Sequence, residues 1–341
     1  MTTIDDVLET IRSSSENSKE VGDKFERLML AFFRTDPAYK RQFSEVWMWG
    51  DWPGNEGKPD TGIDLVAKNV DDDGFTAIQC KCYASTTSLD KSDIDSFFTA
   101  SGKEAFTQRI IVATTNNWSR HAEDALLGQA KPVRRIGVEA LEDSSIDWGQ
   151  WDLDKIEDLA RKPRKTERPH QSEAIDATAE GFKTNDRGKL IMACGTGKTY
   201  TAQRIAEQQV GPGGSVLILL PSISLLSQTL KEWTSDASIP IAVYAVCSDS
   251  KAGKKRVSED ISPYELLLPA TTDPELLVKQ YRRAASPEKM SVIFSTYQSL
   301  PVLSAAQQAG VPEFDLVICD EAHRTTGVTL KDQEDSNFTR V

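Results

Sequence analysis

The chain has 341 residues, of which 39% are hydrophobic and 27% are charged, and its formal net charge is −12. This length allows about two domains of ordinary size, and the composition is typical of a globular protein rather than a disordered one. No apolar run approaches the roughly 18 residues that span a bilayer, and the acidic start does not resemble a signal peptide. We therefore expect a cytoplasmic protein without a membrane partner. Net charge says nothing about a single groove, so nucleic acid is not excluded as a partner.

The cysteines predict no metal site or disulfide framework, and the basic runs predict no phosphate-binding site. No CxxC pair or Cys/His cluster is present, and an odd number of cysteines argues against a disulfide framework. We predict buried, small side chains for all five, which are Cys80, Cys82, Cys194, Cys247 and Cys319. Basic runs at 131–135, 161–165 and 251–256 are expected to be solvated surface rather than phosphate contacts.

The first 150 residues predict a small mixed-sheet α/β domain. Apolar residues repeat at helical spacing over 19–34, and two strand-like runs follow with a hairpin turn between them. The predicted elements after that helix are strands at 62–67 and 76–82, a helix at 91–106, a strand at 109–114, a helix at 119–128 and a strand at 135–139. This order predicts a sheet with helices packed on it.

A candidate metal site lies on the predicted hairpin. Because side chains alternate along a strand, Gln79 and Lys81 share one face of their strand. On the partner strand, Asp64 lies on the face opposite that of Ile63 and Leu65. An acid facing a polar-x-Lys pair suits metal-assisted phosphodiester hydrolysis, in which the acid holds Mg²⁺ and the lysine steadies the attacking water. Asp64 and Gln79 are therefore the predicted ligands. Asp60, four residues before Asp64, is a second candidate acid.

The second half of the chain predicts a parallel sheet. Residues 161–168 are charged and interrupted by proline, as linkers are. Beyond them, strands predicted at 189–193, 215–220, 241–246, 290–295 and 315–319 alternate with helices. Residues 248–289 interrupt this order and are expected to be a variable insertion. We thus divide the chain into a domain at 1–150, a connector at 151–167 and a domain at 168–341.

An ATP site is predicted at the start of this second domain. The sequence GTGKT at 195–199 follows a predicted strand and precedes a helix, so its backbone N–H groups can surround phosphate oxygens. The loop consists of Gly195, Thr196, Gly197, Lys198 and Thr199. Lys198 would reach the β- and γ-phosphates and Thr199 would bind Mg²⁺, although Met192 stands where the usual pattern has its first glycine.

The sequence DEAH at 320–323 supplies the second half of the ATP site. It follows the apolar run 316–319, so its acids lie at the carboxyl end of a strand in the same sheet as the phosphate loop. Asp320 is the predicted Mg²⁺ ligand, and Glu321 would orient or deprotonate the attacking water.

The order of these motifs resembles that of superfamily 2 helicases. GTGKT and DEAH resemble motifs I and II, residues 220–226 resemble motif Ia, and residues 295–298 resemble motif Ib. The resemblance implies that motifs Ia and Ib touch the nucleic-acid backbone, that Gln171 contacts the adenine base, and that His323 couples the ATP state to strand contact.

The first domain resembles the Mrr-like branch of the PD-(D/E)xK nucleases. G-I-D at 62–64, Q-C-K at 79–81, and Gly22, Phe25 and Glu26 on the first helix carry this resemblance. It gives Asp64, Gln79, Lys81 and Glu26 catalytic roles and leaves Thr114 and Thr115 structural. Gln79 stands where an acid is commoner, so a nuclease fold that only binds DNA stays open as an alternative.

Together the two domains resemble a Type ISP restriction-modification enzyme. The resemblance implies an Mrr-like mixed-sheet domain followed by a RecA-like P-loop domain, with Mg²⁺ and ATP as cofactors and double-stranded DNA as partner in the bacterial cytoplasm, in defence against phage. It further implies a second RecA-like lobe, a methyltransferase and a target-recognition domain, so we expect slow ATP turnover by these residues alone. A Type I restriction motor subunit and an ATP-driven DNA sensor are the alternatives.

Overall fold

The computed structural model of the chain describes residues 2–57, 62–70, 72–247 and 265–321. The chain divides into two compact units, residues 1–163 and residues 164–341. In the described residues no helix is long and apolar enough to cross a membrane.

The first unit is a five-stranded mixed sheet with helices packed against it. The strands run in the order β1-β2-β3-β4-β5; β2 pairs antiparallel with both β1 and β3, whereas the pairings of β4 with β3 and β5 are parallel. The elements are α1 (Ile4–Ser13), α2 (Ser18–Thr35), α3 (Pro37–Gln42), β1 (Phe43–Met48), β2 (Leu65–Asn69), β3 (Phe75–Lys81), α4 (Ser92–Ala100), β4 (Phe106–Ala113), α5 (Arg120–Leu126), β5 (Val133–Ile136) and α6 (Val138–Glu142). The predicted mixed α/β domain is confirmed.

Helix α2 lies against β1 and β3. Asn17 caps it by accepting a hydrogen bond from the backbone of Glu20, and its apolar stripe, including Phe25 and Phe32, is buried. Helices α4 and α5 contribute to a separate apolar cluster that includes Ala77 of β3. The central strand β3 is thereby covered by helices and held in place along its length.

The predicted start of the hairpin is wrong by three residues. Regular pairing with β3 begins at Leu65, and Asp64 lies just before the strand. Gly62 adopts a left-handed backbone conformation, with φ of +91°, that turns the chain into the strand. Ile63 therefore joins the same apolar cluster as Val66, and strict alternation does not hold from residue 62.

Two of the basic runs are bound within their own units. Lys131 donates to main-chain carbonyls at 101–103, and the buried Arg134 donates to Gln42, so the run at 131–135 is not the solvated surface we predicted. Lys162 donates to the carbonyl of Ser144 in the first unit, whereas Lys165 pairs with Asp236 at 2.9 Å in the second. The run at 251–256 lies outside the described residues.

The second unit contains a five-stranded sheet in which every pairing is parallel. The strand order is β10-β6-β9-β7-β8, so the carboxyl ends of all strands meet at one edge. The elements are α7 (Pro169–Phe182), α8 (Lys198–Gln209), β6 (Ser215–Leu220), α9 (Ile223–Asp236), β7 (Ile241–Val246), β8 (Ala270–Thr271), α10 (Pro274–Ala284), β9 (Met290–Thr296), α11 (Leu300–Gln308) and β10 (Leu316–Cys319). The predicted parallel α/β domain is confirmed.

Three predictions for this unit are wrong. Residues 189–193 form no strand, and the side chain of Ile191 is 90% exposed. The stretch 248–289 is not merely an insertion, because β8 extends the sheet beside β7 and α10 packs against β7. Cys194 is exposed, since it lies in the phosphate loop rather than in a core; Cys80 and Cys247 are buried, and Cys82 and Cys319 are half-buried.

Candidate functional site

In the first unit, Asp64 lies against the main chain of β3. Its Oδ2 accepts a hydrogen bond from the backbone N–H of Cys80 at 2.6 Å, between the two predicted site residues of that strand. The Nε2 of Gln79 donates to the carbonyl of Gly62 at 3.1 Å, so this amide in turn holds the segment that leads into Asp64. The structure thus brings Asp64 together with the Gln79-x-Lys81 segment.

The side chain of Gln79 is the clearest sign that a ligand belongs here. Only 1% of Gln79 is exposed, and its Oε1 is a buried oxygen without a hydrogen-bond partner in the described structure. An unpartnered buried amide oxygen costs about 1–3 kcal/mol, so such groups are retained where something else binds them. An amide oxygen beside a carboxylate is a donor set that suits Mg²⁺.

Glu26 of α2 also lies near this point. Burial raises the pKa of the Cys80 thiol, and the nearby carboxylates of Asp64 and Glu26 raise it further. Both acids therefore act on the same short segment of β3. In the described ranges no three His, Cys, Asp or Glu side chains cluster as a metal site, and Asp60 lies outside those ranges.

The end of β3 that carries Lys81 is fixed by hydrogen bonds to its carbonyls. The backbone N–H of Thr114 donates to the carbonyl of Lys81 at 3.0 Å, and the Thr114 hydroxyl donates to the carbonyl of Tyr83 at 2.6 Å. Arg12 of α1 donates to that same Tyr83 carbonyl at 2.8 Å. The half-buried Lys81 side chain therefore starts from a rigid backbone.

In the second unit, the phosphate loop turns directly into α8. Gly195 and Gly197 adopt left-handed conformations, with φ of +74° and +85°, which only glycine adopts without strain. Helix α8 begins at Lys198, so the first turn of the helix presents unpaired N–H groups to the loop. The side chains of Lys198 and Thr199 are both half-buried at this helix start.

Gln171 of α7 is packed against this loop with both ends of its amide engaged. Its Nε2 donates to the carbonyl of Thr196 at 3.0 Å, and its Oε1 accepts from the backbone N–H of Arg168 at 2.9 Å. The Nε2 of His170 lies 3.1 Å from the same Thr196 carbonyl, a contact that sequence reasoning missed. The sequence motif at 168–171 had already singled out Gln171. Its neighbour His170 could therefore have been considered as a second contact to the loop.

Replacing Gly197 by alanine is expected to weaken ATP binding at least about tenfold. An added Cβ would lie 2.4 Å from the Nε2 of Gln171, so that amide would have to leave the Thr196 carbonyl, and the φ of +85° disfavours any side chain at this position. ATP titration against the purified protein measures this.

Gly181→Ala is the matched control, because Gly181 is helical, lies in α7 and has open space around it. It is expected to keep ATP affinity and to raise the free energy of unfolding by about 0.4–1 kcal/mol. Equal ATP affinity in the two variants would contradict the role of the left-handed turn.

The two acids after β10 lie at the carboxyl edge of the sheet. Asp320 donates its backbone N–H to the carbonyl of Leu219, and its Oδ1 accepts from the backbone N–H of Glu321 at 3.0 Å. Glu321 has a φ of +54°, a left-handed conformation that is uncommon for a side chain of this size. His323 lies outside the described residues.

The two predicted DNA-contact segments leave this same edge. Ser222, after β6, caps α9 by accepting from the backbone N–H of Leu225. In the segment 295–298, which begins with the last two residues of β9, the first three residues are buried and only Gln298 is exposed. Of that segment, Gln298 is therefore the one residue whose side chain reaches the surface.

Comparisons with known proteins match both units. A family profile described as restriction endonuclease matches residues 34–157, and one described as Type III restriction enzyme, res subunit, matches residues 164–338, or 175 of the 341 residues. The chain is 33% identical over 161 residues to the Probable helicase A859L of African swine fever virus (isolate Pig/Kenya/KEN-50/1950); the match covers 47% of the chain and 16% of the viral protein.

A solved structure is similar over the whole chain. It is the ATP-dependent Type ISP restriction-modification enzyme LlaBIII bound to DNA, with a TM-score of 0.85 and 36% sequence identity, and the match covers 100% of this chain and 21% of LlaBIII. The chain thus spans only a small part of the length of each relative.

Proposed function

The chain belongs to the family of Type III restriction enzyme res subunits, and we propose that it couples ATP hydrolysis on double-stranded DNA to Mg²⁺-dependent cleavage of that DNA. The main observation in support of DNA cleavage is the buried Oε1 of Gln79, which has no hydrogen-bond partner among the described residues, on a strand whose next residue, Cys80, donates its backbone N–H to the Asp64 carboxylate. The restriction endonuclease profile over 34–157 and the likeness to a DNA-bound Type ISP enzyme support the same function.

In the nuclease unit, Asp64 and Gln79 would hold the metal ion, with Glu26 nearby to complete its ligands. Mg²⁺ would supply polarisation of the phosphoryl group and a water of lowered pKa. Lys81 then steadies the attacking water or the charge that develops on the phosphate, as an ammonium at the end of a fixed strand can. Asp60, which lies outside the described residues, is a candidate second acid.

In the motor unit, the phosphate loop and the strand-end acids would share one nucleotide. Lys198 would contact the β- and γ-phosphates, while Thr199 and Asp320 would hold the Mg²⁺ that neutralises charge on the phosphate oxygens. Glu321 orients the attacking water or takes its proton. Gln171, whose amide holds Thr196, would reach the adenine base only by exchanging a present hydrogen bond for a new one. His323 is the proposed link between ATP state and strand contact.

The test is cleavage of circular duplex DNA by the intact protein. We expect nicked or linear DNA only when Mg²⁺ and ATP are both present, and no product after EDTA is added. A slowly hydrolysed ATP analogue is expected to stop cleavage as well, because the motor could no longer move along the duplex.

Two outcomes would separate the alternatives. DNA-stimulated ATP hydrolysis without any cleavage at any Mg²⁺ concentration would favour an ATP-driven DNA sensor, for which the neutral Gln79 is the supporting observation. Cleavage that proceeds equally well without ATP would contradict the coupling of the two units.

A further inference from the structure

Tyr297 joins two segments at the carboxyl edge of the parallel sheet. It is the first residue after β9, and its hydroxyl donates to the main-chain carbonyl of Asp320, the first residue after β10, at 2.9 Å. In the sheet order β6 stands between those two strands, so this hydrogen bond spans the end of β6. The Tyr297 side chain is fully buried.

The hydroxyl of Tyr297 is held as a donor. Burial raises the pKa of Tyr297 above its ordinary value, and the neighbouring Cys319, Asp320 and Glu321 raise it further. The geometry of Tyr297 places the hydroxyl proton on the peptide group that joins Asp320 to Glu321.

That peptide group lies in a strained turn. Glu321 has a φ of +54°, and its backbone N–H donates to the Oδ1 of Asp320. A non-glycine residue keeps such a conformation only where its surroundings fix it, and such positions cluster at functional sites. The contact from Tyr297 is one of the interactions that fix it.

We propose that Tyr297 is a positioning residue that sets the Asp320–Glu321 turn for ATP hydrolysis and makes it responsive to bound DNA. The next residue along the chain, Gln298, is exposed at the same edge. A strand that contacts Gln298 would move Tyr297, because the two share a peptide bond, and the hydroxyl would carry that movement to the turn. The coupling to DNA rests on the proposed function, whereas the support of the turn does not.

Hydrogen exchange in the intact, DNA-free protein tests the support of the turn. Tyr297→Phe removes only the hydroxyl, and exchange at the amides of residues 320 and 321 is expected to rise about fivefold, as for one lost hydrogen bond. Tyr244→Phe is the matched control: Tyr244 lies mid-strand in β7, is buried in the same apolar cluster, and is expected to leave these two amides unchanged. Unchanged exchange in Tyr297→Phe overturns the proposal.

A second variant separates the carbonyl of Asp320 from a neighbouring thiol. The Tyr297 hydroxyl also contacts the Cys319 side chain, so Cys319→Ala is measured in parallel. We expect exchange at residues 320 and 321 to stay near that of the unaltered protein. An increase as large as that in Tyr297→Phe would assign the effect to the thiol and overturn the role of the main-chain contact.

ATP hydrolysis tests the coupling. In Tyr297→Phe, the stimulation of kcat by duplex DNA is expected to fall about tenfold with KM for ATP unchanged, whereas Tyr244→Phe keeps full stimulation. Full stimulation in Tyr297→Phe overturns the coupling. If the proposed function itself were wrong, DNA would not stimulate even the unaltered protein, and the exchange result would still stand on its own.

Discussion

Replacing Asp64 by asparagine is expected to lower the rate of DNA cleavage about 10³-fold, the range seen when a single group that stabilises transition-state charge is removed. The Asp64 carboxylate accepts a hydrogen bond from the backbone N–H of Cys80. Asparagine keeps an oxygen for that bond but has no charge to hold a divalent ion. Cleavage of circular duplex DNA at saturating Mg²⁺ and ATP measures the loss, and DNA-stimulated ATP hydrolysis is expected to stay intact.

Lys81→Ala is the companion variant, and Lys68→Ala is its control. Lys68 is exposed on β2 of the same sheet, so its removal changes the charge of the unit equally without reaching the site. We expect loss of cleavage in Lys81→Ala and ordinary cleavage in Lys68→Ala. Ordinary cleavage in both Asp64→Asn and Lys81→Ala would remove the nuclease assignment.

Replacing Lys198 by alanine is expected to lower DNA-stimulated ATP hydrolysis about 10²–10³-fold. Lys198 opens α8 directly after the left-handed Gly197, where its ammonium can approach the β- and γ-phosphates. Since the motor would stop, ATP-dependent cleavage is expected to fail too. Phosphate release measures the first loss and plasmid cleavage the second.

This pair of losses separates Lys198→Ala from Asp64→Asn, which loses cleavage alone. Lys183→Ala is the control, because Lys183 is exposed on the surface and pairs with Glu180, one turn earlier in the chain. It is expected to retain both activities. ATP hydrolysis unchanged in Lys198→Ala would refute the assignment of the phosphate loop.

The sequence predicts strands well where both neighbours in the sheet are present. The predicted spans 215–220 and 241–246 match β6 and β7 to the residue. Each is a continuous apolar run that is covered on both faces, so burial and propensity favour the same state. The resemblance to Type ISP enzymes is likewise confirmed, by the match of the whole chain to LlaBIII.

Two elements depend on information that lies elsewhere in the chain. Residues 189–193 have the composition of a strand, but a strand also needs a hydrogen-bonding neighbour, and in the described structure β10 pairs with β6 alone. Strand β8 is only two residues long, so it shows no alternation of apolar and polar residues from which it could be predicted. Whether each of these segments forms a strand depends on pairing with a distant strand, which the local sequence pattern cannot predict.

The candidate sites divide in the same way. The spacing of Asp64 and Gln79 predicted that they lie on neighbouring strand segments, and Asp64 does contact the backbone of Cys80. The start of β2 could not be predicted, because the turn at Gly62 changes which face each following residue occupies. The contact from Tyr297 to Asp320 joins residues 23 positions apart and crosses a third strand. Nothing in a local pattern predicts such a contact.

The exposed Cys194 has a practical consequence for experiments on this protein. Of the five thiols it alone is exposed, and it directly precedes Gly195 in the phosphate loop. A maleimide dye is therefore expected to react there first, since the other four are buried or half-buried. Such a label would report nucleotide arrival by its fluorescence, without any change to the sequence.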